Sequence, residues 1–374
     1  ANNAGMIAMI VMFAWADMGA MSFVLPIFYA AALRVLILHM LLRPPLRFRP
    51  HLRRWRYMLG DSFRLVGAGL AHELAIQGDY IVLGRAFPGA AAIGHYFYAY
   101  LLSAQALTLM SRNLDLVMFP SLSKIQDQAA RQRRAFIRML RAMAVGGIPV
   151  CFLQAVAVTP AFMAVLPEKF HPSIPYVIVL SFGMAGRLLI SPSMAMLRAQ
   201  GRFREYNLLS WAYALSLVGM AAVAAFLDTP VTGTVMSVAV AVALVLAIWG
   251  VGFVYFSLRP GGGAGRETAG VFVTPVLLSG LAAASAYGAS LAVPGESIWS
   301  NLARVAVVGV VGMGVYIPLA WRLRRKACEE FVGPLLRKLG KRRAASPPPD
   351  HGGADPGAPE AEGPMRLDQP GPRA

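Results

Sequence analysis

Apolar runs follow one another along most of the chain, each close to the length of about 20 residues needed to cross a hydrocarbon core of about 30 Å. They fall at residues 2–16, 20–42, 60–82, 90–118, 142–166, 173–197, 206–227, 232–257, 271–292 and 300–321. None of these runs shows the strict alternation of a half-buried strand. A segment in lipid must also satisfy its own backbone hydrogen bonds, which leaves the helix as the default. The pattern therefore predicts an all-α, polytopic transmembrane helical bundle of about ten spans.

Composition agrees. Of 374 residues 57% are hydrophobic and only 14% charged, and the mean hydropathy is +0.56; a water-soluble domain carries about 25% charged residues. The net charge of +17 would suggest nucleic acid in a soluble protein, but the positions of the basic residues give another reason for it. Arg43, Arg47, Arg49, Arg53, Arg54 and Arg56 crowd the loop after the second span, and Lys124, Arg131, Arg133, Arg134, Arg138 and Arg141 the loop after the fourth. The next alternate loops hold Arg198, Arg202 and Arg204, then Arg259 and Arg266, and Arg322, Arg324, Arg325 and Lys326 follow the tenth span. The loops between hold little more than Arg85 and Lys169. Basic residues mark cytoplasmic loops, so both termini are expected inside, with membrane lipid rather than nucleic acid as the partner.

The loops on the other side are short, which places any chemistry between helices. Residues 344–374 hold eight Pro and five Gly, too little apolar surface to order itself, and are expected to be a disordered cytoplasmic tail. Residues 323–343 form a basic juxtamembrane segment, read as a positive-inside anchor or as a helix lying on the inner leaflet. Cys151 falls in a span and Cys328 in the tail, so a disulfide between them is not expected. The chain starts at Ala1 and runs directly into an apolar segment, which reads as an N-terminal truncation.

Ionisable residues inside spans are costly, at least about 2.5–3.5 kcal/mol on insertion scales, and so usually face a cavity or a partner. On that argument the candidate cavity residues are Arg34, Arg64, His72, Glu73, Asp79, Arg112, Asp115 and Arg187. Arg64, His72 and Asp79 fall near one face of the third span, with Glu73 and Gln77 beside it. The plain alternative for this stripe is interhelical contact and snorkelling at the span ends. Arg112 and Asp115, three apart, can pair on one helix. Arg187 is followed one turn on by Ser191 and Ser193, offering a cation and hydroxyls to an anionic or hydroxyl-rich ligand. There is no GxSxG, no P-loop lysine motif, no HExxH and no metal-spaced Cys/His set. The expectation is therefore neither an enzyme nor a carrier of a cofactor or metal.

Asp79-Tyr80-Ile81-Val82-Leu83-Gly84-Arg85, Gly94-His95-Tyr96 and Phe119-Pro120-Ser121-Leu122-Ser123-Lys124-Ile125-Gln126-Asp127 carry a resemblance. So do Trp15, Asp17 and Gly19, the linker Arg43-Pro44-Pro45-Leu46-Arg47-Phe48, and Leu197-Arg198-Ala199-Gln200-Gly201-Arg202. Over roughly residues 5–260 the chain resembles the polysaccharide transport family of the multidrug/oligosaccharidyl-lipid/polysaccharide flippase superfamily. That resemblance implies translocation of an undecaprenyl-pyrophosphate-linked oligosaccharide across the bacterial inner membrane for lipopolysaccharide or exopolysaccharide assembly. Other polysaccharide-assembly proteins are then conceivable partners.

The family has about fourteen spans, six in each of two bundles plus two. The resemblance thus implies that 1–42 are the last two helices of an N-terminal bundle, 43–59 a basic cytoplasmic linker and 60–257 a C-terminal six-helix bundle. Residues 258–322 would be the two additional helices. A fragment lacking part of one bundle is expected to be inactive alone. The alternatives are an ion-coupled multidrug exporter of the same superfamily, expected to favour acidic cavity residues, and a non-transporting component of polysaccharide assembly.

Overall fold

All ten apolar stretches are helical in the computed structural model, which describes residues 2–19, 21–42, 52–86, 90–226, 234–295 and 297–344. Side chains are not described for several of these, among them 52–58, 109–117 and 326–344. The helices are α1 (Asn2–Trp15), α2 (Met21–Leu42), α3 (Leu52–Ala86), α4 (Ala90–Ser123), α5 (Ala129–Val165), α6 (Ile174–Arg187), α7 (Ile190–Ala199), α8 (Phe203–Phe226), α9 (Thr234–Leu258), α10 (Ala264–Leu291) and α11 (Ile298–Ala344). Short 3-10 turns at Glu168–Ser173 and Arg259–Gly261 join α5 to α6 and α9 to α10.

Seven described segments are long and apolar enough to cross a membrane: Val24–Leu41, Ala129–Val165, Glu168–Ala199, Phe203–Phe226, Val235–Leu258, Ala264–Leu291 and Ile298–Leu323. α1 contributes a shorter apolar helix, Gly5–Trp15. α3 and α4 have the length but not the apolarity, because they carry most of the ionisable residues singled out above. The stretch expected as one span at 173–197 is two helices. Pro192 lacks an N–H for the Leu188 carbonyl one turn back, and its ring crowds that carbonyl. At the break the Leu189 N–H reaches the Gly186 carbonyl at 3.2 Å, a tighter i to i−3 bond. The helix restarts at Ile190.

The chain divides into two compact units, Ala1–Asp61 and Ser62–Ala374. In the first, α1 packs on α2 and Phe13 meets Tyr29 with ring centroids 6.0 Å apart. In the second, α6 and α9 cross almost backbone to backbone. A Cβ added to Gly186 would lie 2.6 Å from Ala247 Cα, and one added to Gly250 would lie 2.4 Å from the Gly186 carbonyl oxygen. Only glycine allows that approach, which is how helices gain dispersion contact when lipid offers no hydrophobic drive between them. Around the crossing lie the buried Leu180, Met184, Val242, Leu246 and Phe253. α8 joins through the Tyr213–Trp249–Phe253 cluster and the hydrogen bond from Trp249 Nε1 to Ser216 Oγ at 2.6 Å. α5, α10 and α11 form a second packed group, tied by the Tyr316 hydroxyl donating to the Val145 carbonyl at 2.8 Å.

Large apolar side chains also cover the outside: Phe226 is 84% exposed, Val310 74% and Leu277 67%. In water that much apolar surface would aggregate; in lipid it is the correct exterior. Of the expected linker at 43–59, residues 43–51 lie outside the described residues, as does the expected tail beyond Ala344. The basic segment at 323–343 is continuous with the last span in α11.

Candidate functional site

α3 ends two turns after Asp79, and α4 begins four residues beyond that end, so the two helices bring Asp79 opposite the first turns of α4. Tyr96 and Tyr100, four apart on α4, lie on one helical face. The Asp79 side chain is 1% exposed. Its Oδ2 accepts the Tyr96 hydroxyl at 2.7 Å and its Oδ1 the Tyr80 backbone N–H at 3.0 Å. Tyr80 packs edge-on to Tyr96 and Tyr100, with centroids 5.7 and 6.1 Å apart.

Arg187 approaches from the last turn of α6. Its Nη1 donates to the Tyr100 hydroxyl, its guanidinium carbon lies 5.4 Å from the centre of the Tyr100 ring, and the Met184 sulfur lies 3.9 Å from Nη1. A phenol stack thus separates and couples one carboxylate and one guanidinium inside the bundle. Burying either charge alone would be costly, and each instead has a neutral partner, a hydroxyl donor for the carboxylate and a hydroxyl acceptor for the guanidinium. The cation–π contact adds about 0.5–2 kcal/mol.

The frame around these groups is itself hydrogen-bonded. Ser103 Oγ donates to the Ala99 carbonyl at 2.8 Å and to the Val177 carbonyl at 3.3 Å, pinning α4 to α6. Gln154 Nε2 donates to the Leu102 carbonyl at 2.9 Å, pinning α5 to α4. Ser173 Oγ and His95 Nδ1 lie 3.3 Å apart between the α5–α6 turn and α4.

Of the eight residues singled out in the sequence, the structure brings Asp79 and Arg187 into one network. Arg64, His72 and Glu73 are exposed on α3, so the stripe does not act as a unit: its two earlier members face outward while Asp79 is buried. Arg34 lies on α2 in the first unit, exposed, in a groove of about 680 Å³ that also takes in Met6, Met9, Leu33 and Ile37. Arg112 and Asp115 sit along α4, and their side chains lie outside the described residues. Ser193, expected to offer its hydroxyl to a ligand beside Arg187, is fully buried and donates at 2.7 Å to the Leu189 carbonyl of its own helix turn. The tyrosines were missed. Their signal was present in the four-residue spacing of Tyr96 and Tyr100 within an otherwise apolar span.

Residues 1–175 match the family model described as "Polysaccharide biosynthesis protein". The similarity to that family is therefore confined to the first part of the chain. The match covers α1 to α5, and so includes Asp79, Tyr80, Tyr96 and Tyr100 but not Arg187. A relative is the teichuronic acid biosynthesis protein TuaB of Bacillus subtilis (strain 168), 31% identical over 134 residues. The alignment covers 36% of this chain and 27% of that protein's length. No solved structure matches the chain. The apolar helices make the chain a multi-pass membrane protein, and its first 175 residues are similar to proteins of polysaccharide biosynthesis.

Proposed function

We propose that the chain serves to translocate a lipid-linked oligosaccharide, of the undecaprenyl-pyrophosphate type, across the bacterial inner membrane, with both termini cytoplasmic. The observation that carries this reading is the Asp79–Tyr96/Tyr100–Arg187 network. It is a set of charged and hydroxyl groups held inside a bundle whose exterior is apolar, in a chain whose first 175 residues match a polysaccharide biosynthesis family.

A sugar head group cannot enter hydrocarbon without losing its hydrogen bonds, each such loss costing several kcal/mol in an apolar medium. A path for it needs groups that exchange partners at little cost. The Tyr100 hydroxyl can pass from the Arg187 guanidinium to a sugar hydroxyl, and the guanidinium can then fork onto phosphate oxygens while staying charged at every physiological pH. Asp79, held through Tyr96, keeps the local charge balanced when the cation is not engaged. Alternating exposure of such a site to the two leaflets would complete transport. The same reading assigns α3 to α9 to the substrate-carrying bundle and α10 and α11 to additional helices.

Complementation tests the reading. In a bacterium deleted for its own flippase, the whole gene that contains this sequence should restore surface polysaccharide, Arg187→Ala should lower it, and Arg187→Lys should fall between, since an ammonium lacks the planar fork. Full complementation by Arg187→Ala at normal membrane abundance would make the arginine structural and overturn its role. Resistance to cationic dyes with no restored polysaccharide would establish the exporter alternative.

A further inference from the structure

At the basic end of the second unit, away from the phenol network, a pocket of about 590 Å³ opens between the turn after α4, the first turn of α5, the α7–α8 turn and the end of α9. That volume lies within the range of roughly 300–1,000 Å³ seen for small-molecule sites. Its polar lining comes from Gln126, Gln132, Gln200, Ser257, Arg133 and Arg202.

The two arginines look at first like an anion site, but each is already paired with a carboxylate. Arg202 Nε donates to Glu205 Oε1 at 2.9 Å and its Nη2 to Glu205 Oε2, while Nη1 donates to Gln200 Oε1 at 2.9 Å and to the Phe256 carbonyl at 3.1 Å. An arginine has five N–H donors, so one is left. Arg133 Nη2 donates to the Gly262 carbonyl and pairs with Glu267 at 2.8 Å. Each guanidinium is therefore balanced by a carboxylate and acts as a strut. Arg202 ties the α7–α8 turn to α9, and Arg133 ties α5 to the α9–α10 turn and α10.

What the pocket offers a ligand is amide chemistry. Gln132 is buried and donates Nε2 to the Leu122 carbonyl at 3.0 Å, which leaves its carbonyl oxygen as an acceptor. Gln200 accepts from Arg202 through its oxygen and keeps its NH₂ as a donor. Gln126 stands exposed at the rim. Donors and acceptors interspersed on rigid walls, with the fixed charges internally neutralised, match neutral hydroxyls, which both donate and accept. They match a phosphate, which only accepts, poorly. We propose that this pocket binds an uncharged sugar unit, presented either free or as the head group of a glycolipid. The inference stands apart from the translocation reading, since it rests on the lining of a separate pocket.

The test uses the full chain in nanodiscs and saturation-transfer NMR, with glucose, N-acetylglucosamine, glucuronate and inorganic phosphate as probes. The two neutral sugars should bind with a Kd of about 1 mM, a modest affinity for a site without stacking rings. Gln126→Ala and Gln200→Leu should each weaken binding at least about fivefold, the value of one lost hydrogen bond, and Gln126→Ala should leave thermal unfolding unchanged. If Gln200→Leu fails to fold, the rim variant Gln126→Ala carries the test alone. Absence of binding by both neutral sugars overturns the proposal. So does tighter binding of phosphate or glucuronate, or unchanged binding in the folded variants. Repeating the titration with a glucosyl-diacylglycerol in the disc separates the sources: displacement of free glucose identifies a lipid head group, and no displacement a free saccharide.

Discussion

α9 and α3, of 25 and 35 residues, are both long enough to cross a membrane but are held in different ways. The apolar window of α9 has a mean hydropathy of 2.5 and is more than half buried, and the helix is held by close backbone approach to α6 and by rings from α8. α3 is not apolar enough to count among the seven candidate spans, exposes Arg64, His72 and Glu73, and meets α4 through the Asp79–Tyr96 hydrogen bond. In lipid the hydrophobic effect does not draw helices together, so packing and interhelical polar contact are the two means available. α9 uses the first and serves as scaffold. α3 adds the second through Asp79, beside the close approach of its Gly78 to Val218 of α8.

The largest effect should come from breaking the scaffold. Gly186→Leu forces a side chain into the backbone at Leu246 and Ala247, where even a Cβ would sit 2.6 Å away. Overpacking of this kind costs about 1–3 kcal/mol and often more when backbone must shift. Membrane abundance and thermal unfolding should both fall sharply. Gly84→Ala on α3, where nothing lies within 4 Å of the added Cβ, should change neither. Equal melting of the two variants would mean that the crossing is not tight.

A smaller and more discriminating effect is expected in the phenol network. Tyr96→Phe removes the hydroxyl that donates to a buried carboxylate, and hydrogen bonds to charged groups are worth about 1.5–3 kcal/mol. Tyr100→Phe removes an acceptor from Arg187 but keeps the ring beneath it, so the cation–π contact survives and the loss should be smaller. Asp79→Asn combined with Tyr96→Phe should cost less than the sum of the two single changes, because both act on one bond. Additive costs in thermal unfolding would show that the carboxylate and the phenol are not coupled.

How much of this was legible follows from what hydropathy can detect. Ten helical stretches were readable because each must be apolar to sit in lipid, but their ends were not. α3 was expected to begin at 60 and begins at Leu52, and α5 was expected at 142 and begins at Ala129. Both extensions run through arginines, which are good helix formers but do not belong in hydrocarbon, so the helix outlasts the apolar signal. The division of the 173–197 span at Leu188–Leu189 had a sequence cause in Pro192. However, α5 carries Pro149 and Pro160 without interruption, so proline alone could not have located the break. Asp79 and Arg187 were found because charge inside a span is conspicuous. Tyr96 and Tyr100 were not, since a phenol reads as one more large ring until its hydroxyl is seen on a carboxylate or a guanidinium. The amide-lined pocket was out of reach, because its walls come from three stretches far apart in sequence.

The smallest energetic effect and the sharpest test of what α3 faces lie at Glu73. It is exposed on α3 and lies near the middle of its span, where a side chain is too short to reach either surface. A charge there costs at least about 2.5–3.5 kcal/mol if it meets hydrocarbon, so a solvated surroundings is what makes the residue tolerable. Glu73→Gln should then shift unfolding by no more than about 0.5 kcal/mol, as for a surface substitution in water. If α3 instead presented this position to lipid, removing the charge would stabilise the protein by several times that amount. The same distinction can be read chemically in a Cys151→Ala, Cys328→Ala background. Glu73→Cys should react with a membrane-impermeant thiol reagent much faster than Leu277→Cys, which replaces one of the apolar side chains most exposed on α10. Equal protection of the two cysteines would put Glu73 against lipid and leave α3 without a solvated face at that depth.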